Sequence, residues 1–348
     1  MKRRDWIITA AVLTAGTMRA PHTAGGPPTP AEPRRPSGEA SATSPSSAGS
    51  PGEGQEGEGQ DWEAIDTHTH FYDPTRPQGV PWPPENSELH RVVLPDDWLR
   101  VAAPVGVRRT VVVEASQWVE DNQWVLDLAD REPAIVGLVG NLDPHDEAFS
   151  RHLRRFAEHP RFRGIRWRHD LVRIDRDRER VTSAARELAD RGLSLDLNGP
   201  CEWLPAVARL ATDVPSLRIV VNHVGASGDP RSPHPAWRQN IRTVAARPNV
   251  TMKVSGMVEQ VRGEAGEAPD DPAFYRPILD HLWESFGPDR LIFGSNWPVS
   301  DRGGDYATVV RIVDHYFRDR GDTNRQKFFE ANARRVYGLG APHAPDAG

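Results

Sequence analysis

Cysteine is almost missing from this chain: Cys201 is the only one in 348 residues. That excludes an internal disulfide framework and a cysteine-based structural zinc site, and leaves a lone buried thiol as the expected state. Basic clusters are equally scarce beyond the extreme N-terminus, and the net charge is −6. No electrostatic footprint for nucleic acid or an anionic membrane follows. No apolar run is long enough for a stable spanning helix. No glycine-rich fingerprint follows any early strand, which argues against a nucleotide-binding open sheet, and no fixed internal period suggests a solenoid. What is present, 37% hydrophobic and 26% charged residues, suffices for a large core.

The first sixty residues differ from the rest. Lys2, Arg3 and Arg4 precede a short apolar run, Ile7 to Met18, that ends near Arg19-Ala20. This is the layout of an export signal over residues 1–20, and Arg3-Arg4-Asp5-Trp6-Ile7 resembles a twin-arginine signal, so export to a periplasm is expected. A cytoplasmic protein with a frayed N-terminus is the alternative. In residues 21–60, sixteen of forty positions are Pro or Gly. Such a segment buries too little apolar surface to offset its ordering entropy and reads as a disordered linker. A folded domain is expected over 61–341 and a flexible tail over 342–348.

From Trp62 onward, short apolar runs alternate with amphipathic intervals. Strands are expected at Ala64 to Thr69, Thr110 to Ala115, Ile135 to Leu142, Gly164 to Arg168, Ser194 to Asn198, Arg218 to His223, Val250 to Ser255 and Arg290 to Ser295. Helices such as Asp121 to Arg131, Arg178 to Arg191 and Phe274 to Phe286 lie between them. Near-continuous apolar strands covered by helices imply a parallel sheet buried on both faces. Eight such units predict an α/β fold, a (β/α)₈ TIM barrel.

Active sites of such barrels form at the C-terminal ends of the strands. The most informative ending is Ile65-Asp66-Thr67-His68-Thr69-His70, because residues two apart on a strand share a face, so His68 and His70 form one polar site. The other strand ends supply Glu114, Arg166 and Arg168, Asp196 and Asn198, Asn222 and His223, Lys253 and Ser255, and Asn296. Polar groups closing apolar strands cost free energy unless paired or facing a cleft. Glu114 faces the cleft if Val112 does, or else simply pairs with Arg166 or Lys253. Arg166, Arg168, Asn198, Lys253 and Ser255 are candidate substrate contacts, since guanidinium groups bind carboxylates through paired hydrogen bonds. The proline-rich loop from Phe71 to Pro84 carries Trp82, a stiff aromatic cover suited to a sugar or flat ring, and Trp297 follows the last strand.

His68 and His70, the closing Gly294-Ser295-Asn296-Trp297-Pro298 and the strands between them resemble the amidohydrolase superfamily. Within it, the chain is most similar to the amidohydrolase-related branch of sugar-lactone and 2-pyrone-4,6-dicarboxylate lactonases, over about residues 62 to 340. The resemblance implies that His68, His70 and His223 donate hydrogen bonds to a substrate carbonyl. It also places an aspartate, the expected base, where this chain has Asn296, and asparagine cannot accept a proton at neutral pH. Asn222 likewise stands where sugar lactonases commonly carry a carboxylate. Glu114, Asp196, a neutral histidine of the cluster or Asp301 is left to act as base.

The metal ligands that the superfamily takes from the fourth and fifth strands are missing here, although His169 lies just past the fourth. No metal is therefore expected to be required. The alternative is a mononuclear hydrolase or decarboxylase holding Zn²⁺ or another divalent ion by His68, His70 and Glu114. The expected function is hydrolysis of a small carboxylated or polyhydroxy lactone, with a catalytically silent sugar-acid-binding barrel as a further alternative. A small lactone or sugar acid is the expected partner, and oligomeric state is not legible.

Overall fold

Ala64–Thr69 is buried at every position and forms β1, the first of eight parallel strands that pair in chain order. A computed structural model describes residues 63–340 except 170, 171, 173 and 264–267. The expected export signal, linker and tail lie outside the described residues. The remaining strands are β2 (Val107–Val113), β3 (Ile135–Gly140), β4 (Phe162–Arg168), β5 (Ser194–Asn198), β6 (Arg218–Val221), β7 (Val250–Val254) and β8 (Leu291–Phe293). Helices cover them: α1 (Pro95–Ala102), α2 (Asp121–Arg131), α3 (Phe149–Ala157), α4 (Arg178–Asp190), α5 (Leu204–Asp213), α6 (Trp237–Ala245), α7 (Pro272–Phe286) and α8 (Tyr306–Arg318). The expected (β/α)₈ barrel is thus the observed fold, with β1 and β5 at their expected bounds. No helix among the described residues is long and apolar enough to cross a membrane.

Two apolar layers set the direction of each strand side chain. An inner cluster joins Ile65, Val111, Val113, Val139, Val220 and Ile292 inside the barrel. It is closed at the N-terminal end by Tyr337 and neighbours on α10 (Asn332–Tyr337), which follows the short α9 (Asp322–Gln326). The outer cluster, under the helices, holds Val112 and Leu138 among others. Val112 therefore faces outward, so the condition set for Glu114 to face the cleft is not met.

β4 and β5 pair without a shift, Arg166 opposite Asp196 and Arg168 opposite Asn198. That register puts long polar side chains inside the barrel above the apolar plug. The first and last strands meet differently. Asn296 N donates to His68 O at 2.8 Å, His70 N donates to Trp297 O at 2.9 Å, and Thr69 bridges Trp297. Asp66 points outward at this seam, accepting from Ser295 N (2.8 Å), Ser295 Oγ (2.5 Å) and Tyr306 Oη (3.0 Å). The loop geometry of β8 and the side chain of Asp66 therefore align Asn296 with the two histidines of β1.

Candidate active site

Three imidazoles converge at the C-terminal mouth. The His68 ring lies 5.0 Å from His70 and 4.5 Å from His223, centroid to centroid. His223 and Asn296 reach it from left-handed backbone, φ +53° and +66°. Asparagine tolerates that region better than most residues, whereas a histidine there is uncommon and worth relating to function. Gly256 permits the approach: a Cβ there would sit 2.7 Å from His223 Nδ1, so a side chain would displace the ring.

All three rings are neutral near pH 7. Burial depresses His68 and His223 well below the ordinary histidine range, and burial followed by the Arg166 charge lowers His70 to about 3. Neutral imidazole carries one N–H, so the partners decide what each ring can do. His70 Nδ1 lies 2.9 Å from Val113 O, an acceptor only, so the single proton of neutral His70 is committed there. Its Nε2, 3.3 Å from Asn296 Oδ1, presents a lone pair. His70 is thus not a donor to a substrate carbonyl, which corrects the expectation of three equivalent donors. His223 Nδ1 is 3.0 Å from Ser255 Oγ; a hydroxyl donating there leaves Nε2–H for another acceptor. His68 is fully buried, and neither ring nitrogen has a partner among the described residues. A buried polar group in that condition calls for a partner: a water, an ion or a ligand atom.

Several other expected residues sit elsewhere. Lys253 is completely buried beneath the histidines and donates to Asp196 Oδ2 (2.7 Å) and Thr67 O (2.8 Å). It holds the barrel interior together, its N–H donors spent on Asp196 and Thr67 and not on the cleft. Asp196 also accepts from Asn222 Nδ2 at 2.8 Å and from Tyr337 Oη at 3.0 Å. Saturated in this way, it is no base for bound water. Trp297 is 3% exposed and packs in the outer core, so it supports the His70 backbone and does not face substrate. Asp301 lies exposed and pairs with Arg91 at 3.6 Å.

Glu114 and Arg166 form a buried ion pair at 2.8 Å, and Arg166 also donates to Glu114 O. Glu114 therefore takes the pairing role weighed for it. The Arg166 charge remains close enough to lower all three histidines. Ser255 is buried against His223. Arg168 and Asn198 stay partly exposed at the mouth. Trp82 stands edge-on to His70 at 5.8 Å and to Tyr72 at 5.5 Å. With Phe71, Tyr72, Arg76 and Glu114 it lines a narrow recess.

One residue escaped the sequence reading. Glu259, on a 3₁₀ turn (Val258–Gln260) beyond β7, accepts from Asn296 Nδ2 at 2.7 Å. Burial raises it to about 7, against the lowering effect of that hydrogen bond. It lies past the end of an apolar run in a segment without period, so only a search for carboxylates near strand ends would have drawn it in.

Among the described residues, the one group of three or more His, Cys, Asp or Glu side chains with donor atoms within 4.8 Å of one another is Cys201, Glu202 and His234. His68, His70 and Glu114 do not converge in that way, and Glu114 is held by Arg166, although His70, with Nδ1 on Val113 O, keeps a lone pair on Nε2. As arranged, Glu114 does not complete a three-ligand set with the two histidines. His169 packs edge-on to Trp203, 5.3 Å between centroids. Cys201 is buried as expected, its thiol pushed up to about 12 by burial and then by Glu202.

Comparison with known proteins agrees with this architecture. The amidohydrolase family model matches residues 65–339. An L-fucono-1,5-lactonase of Burkholderia ambifaria is 32% identical over 288 residues, 80% of this chain and 96% of the relative. A 4-sulfomuconolactone hydrolase of Rhizobium radiobacter is 24% identical over 295 residues, 79% of this chain and 90% of its own. The crystal structure of a Burkholderia multivorans amidohydrolase with bound zinc superposes at TM-score 0.71 with 26% identity, covering 80% of this chain and 100% of that one. With the barrel, the paired histidines of β1 and a match over most of its length, this chain belongs to the amidohydrolase family.

Proposed function

We propose that this protein is a lactonase that opens a small polyhydroxy or carboxylated lactone by attack of water on the ring carbonyl. The observation that carries the reading is His68: a fully buried imidazole with both nitrogens unpartnered among the described residues, beside His223 and His70. A carbonyl oxygen seated there accepts from His68 and His223, whose protons are not committed to the backbone. Negative charge develops on that oxygen as water adds, and donors already in place stabilise it without reorganising. The Arg166 guanidinium, held by Glu114, adds positive potential to the same region.

Relatives named as lactonases, L-fucono-1,5-lactonase among them, support the substrate class. Trp82 beside His70 offers an aromatic wall for the ring, and Arg168 and Asn198 offer polar groups to its substituents at the mouth. Proton release from a panel of sugar lactones and carboxylated lactones, assayed with and without chelator, tests the proposal. Saturable turnover unaffected by chelator is expected. Binding without turnover would sink it in favour of a silent barrel, and turnover that chelator abolishes would replace its metal-free chemistry.

A further inference from the structure

Four groups lie in series: Val113 O, the His70 ring, the Asn296 amide and the Glu259 carboxyl, spaced 2.9, 3.3 and 2.7 Å. Neutral His70 gives its proton to Val113 O and shows Nε2 as an acceptor. Asn296 gives Nδ2–H to Glu259, so its Oδ1 is also an acceptor and faces Nε2. Two lone pairs turned toward one another at 3.3 Å are complementary only to something that donates. Water is such a donor. If Glu259 takes up a proton, its O–H donates to Oδ1, the amide turns over, and Nδ2–H closes the contact with His70. The amide direction therefore follows the charge of Glu259.

We propose that Glu259 is a positioning residue: it holds the Asn296 amide so that Oδ1 and His70 Nε2 together accept from the attacking water, making His70 the base. The chemistry rests on the lactonase reading. Water loses a proton to His70 Nε2 as its oxygen bonds to the ring carbonyl carbon. When the tetrahedral adduct collapses, the carbonyl carbon–ring oxygen bond breaks and His70 returns that proton to the departing oxygen. The imidazolium formed between these steps is faced by Asn296 Oδ1, whose amide is anchored on the Glu259 anion. Through one intervening amide, Glu259 supplies what a carboxylate at position 296 would supply directly.

A second observation concerns the other oxygen of the same carboxyl. Glu259 Oε2 is buried with no hydrogen-bond partner among the described residues, leaving it open to a further donor. The charged and titratable groups facing it are Asp301, which raises it, and Arg302, which lowers it, both from the turn after β8. Tyr275 on α7 also faces it, its phenol pushed up first by burial and then by the Glu259 charge.

The test uses the full chain carrying ¹⁵N-labelled histidine, with His70 assigned by comparison with H70N. In the free wild-type protein, His70 Nε2 should shift with a midpoint near 7 as the amide turns, and in E259Q it should stay flat. In turnover, E259Q should lose the rise of kcat through that midpoint, fall about tenfold at higher pH and keep its KM, while E259D restores part of the rise. A wild-type ring insensitive to pH, or an E259Q protein with the wild-type profile, overturns the proposal. A coupled ring in a protein that turns over no lactone leaves the Glu259 assignment standing and defeats the lactonase reading alone.

Discussion

Lys253 and Asp196 touch at 2.7 Å with neither side chain exposed, so a full ion pair occupies the barrel interior between the apolar plug and the histidines. Burial pulls the ammonium below its ordinary range, and Asp196 opposes that. The pair is worth keeping only because its remaining hydrogen bonds are filled by Thr67 O, Asn222 and Tyr337.

Removing one partner strands the other. Lys253→Met should cost about 3–5 kcal/mol in urea unfolding, the range for breaking a buried pair. A loss below about 1 kcal/mol would mean that water reaches Asp196.

The histidines make stability depend on acid. Each has a folded value depressed below its unfolded one, so the unfolded chain binds protons first as pH falls. Their contribution is intact above about 6.5 and, for His70, is lost progressively down to about 3. Unfolding free energy should therefore drop between pH 6.5 and 4.5, each such histidine contributing up to about 1.4 kcal/mol per pH unit. His70→Asn should reduce that slope by one proton in denaturant titrations at stepped pH. An unchanged slope would place His70 in contact with solvent.

His68 carries the charge-stabilising role, and His68→Ala should lower kcat by roughly 10²–10³ with little change in KM, the pattern for a donor that matters most in the transition state. Circular dichroism should match the wild type, because the ring makes no hydrogen bond that the fold uses. Wild-type turnover by the variant would move the carbonyl elsewhere in the mouth.

Asn296→Asp creates two carboxylates at the 2.7 Å contact with Glu259. Like charges so close cannot both ionise at neutral pH, so the pair should share one proton and titrate in two separated steps. The pH–rate profile should acquire a second inflection; a single one would mean that the side chain at 296 has swung away from Glu259.

Glu114→Gln should act through Arg166. The guanidinium loses its charged partner and keeps only Glu114 O, so stability should fall and KM rise as the arginine wanders. Abolished turnover with wild-type stability and binding would instead make Glu114 the base.

Much of this was legible beforehand for a physical reason. Strand ends are where apolar runs stop, and β1 announces His68 and His70 by parity alone. Parity alone does not decide β2: Val112 and Glu114 share it, yet Val112 packs outward while Glu114, past the strand end at Val113, pairs with Arg166, the second of the two roles open to it. Lys253 was misread because a sequence does not show depth. On an inward-facing strand, the middle residue and the last one look alike, and only the one nearer the mouth meets substrate. Glu259 was missed because an irregular turn carries no period to place it.

The Asp66 carboxylate ties residues near the start of the barrel to Ser295 and Tyr306 near its end. A ribosome making this domain exposes Asp66 long before its partners emerge. Until Tyr306 is synthesised, closing the ring would bury a carboxylate short of its acceptor bonds, which is unfavourable. The nascent chain should thus stay open and susceptible to chaperones until the last helical layer arrives. Shape and chemistry would then be completed in one late event, because the same seam aligns Asn296 with His68 and His70.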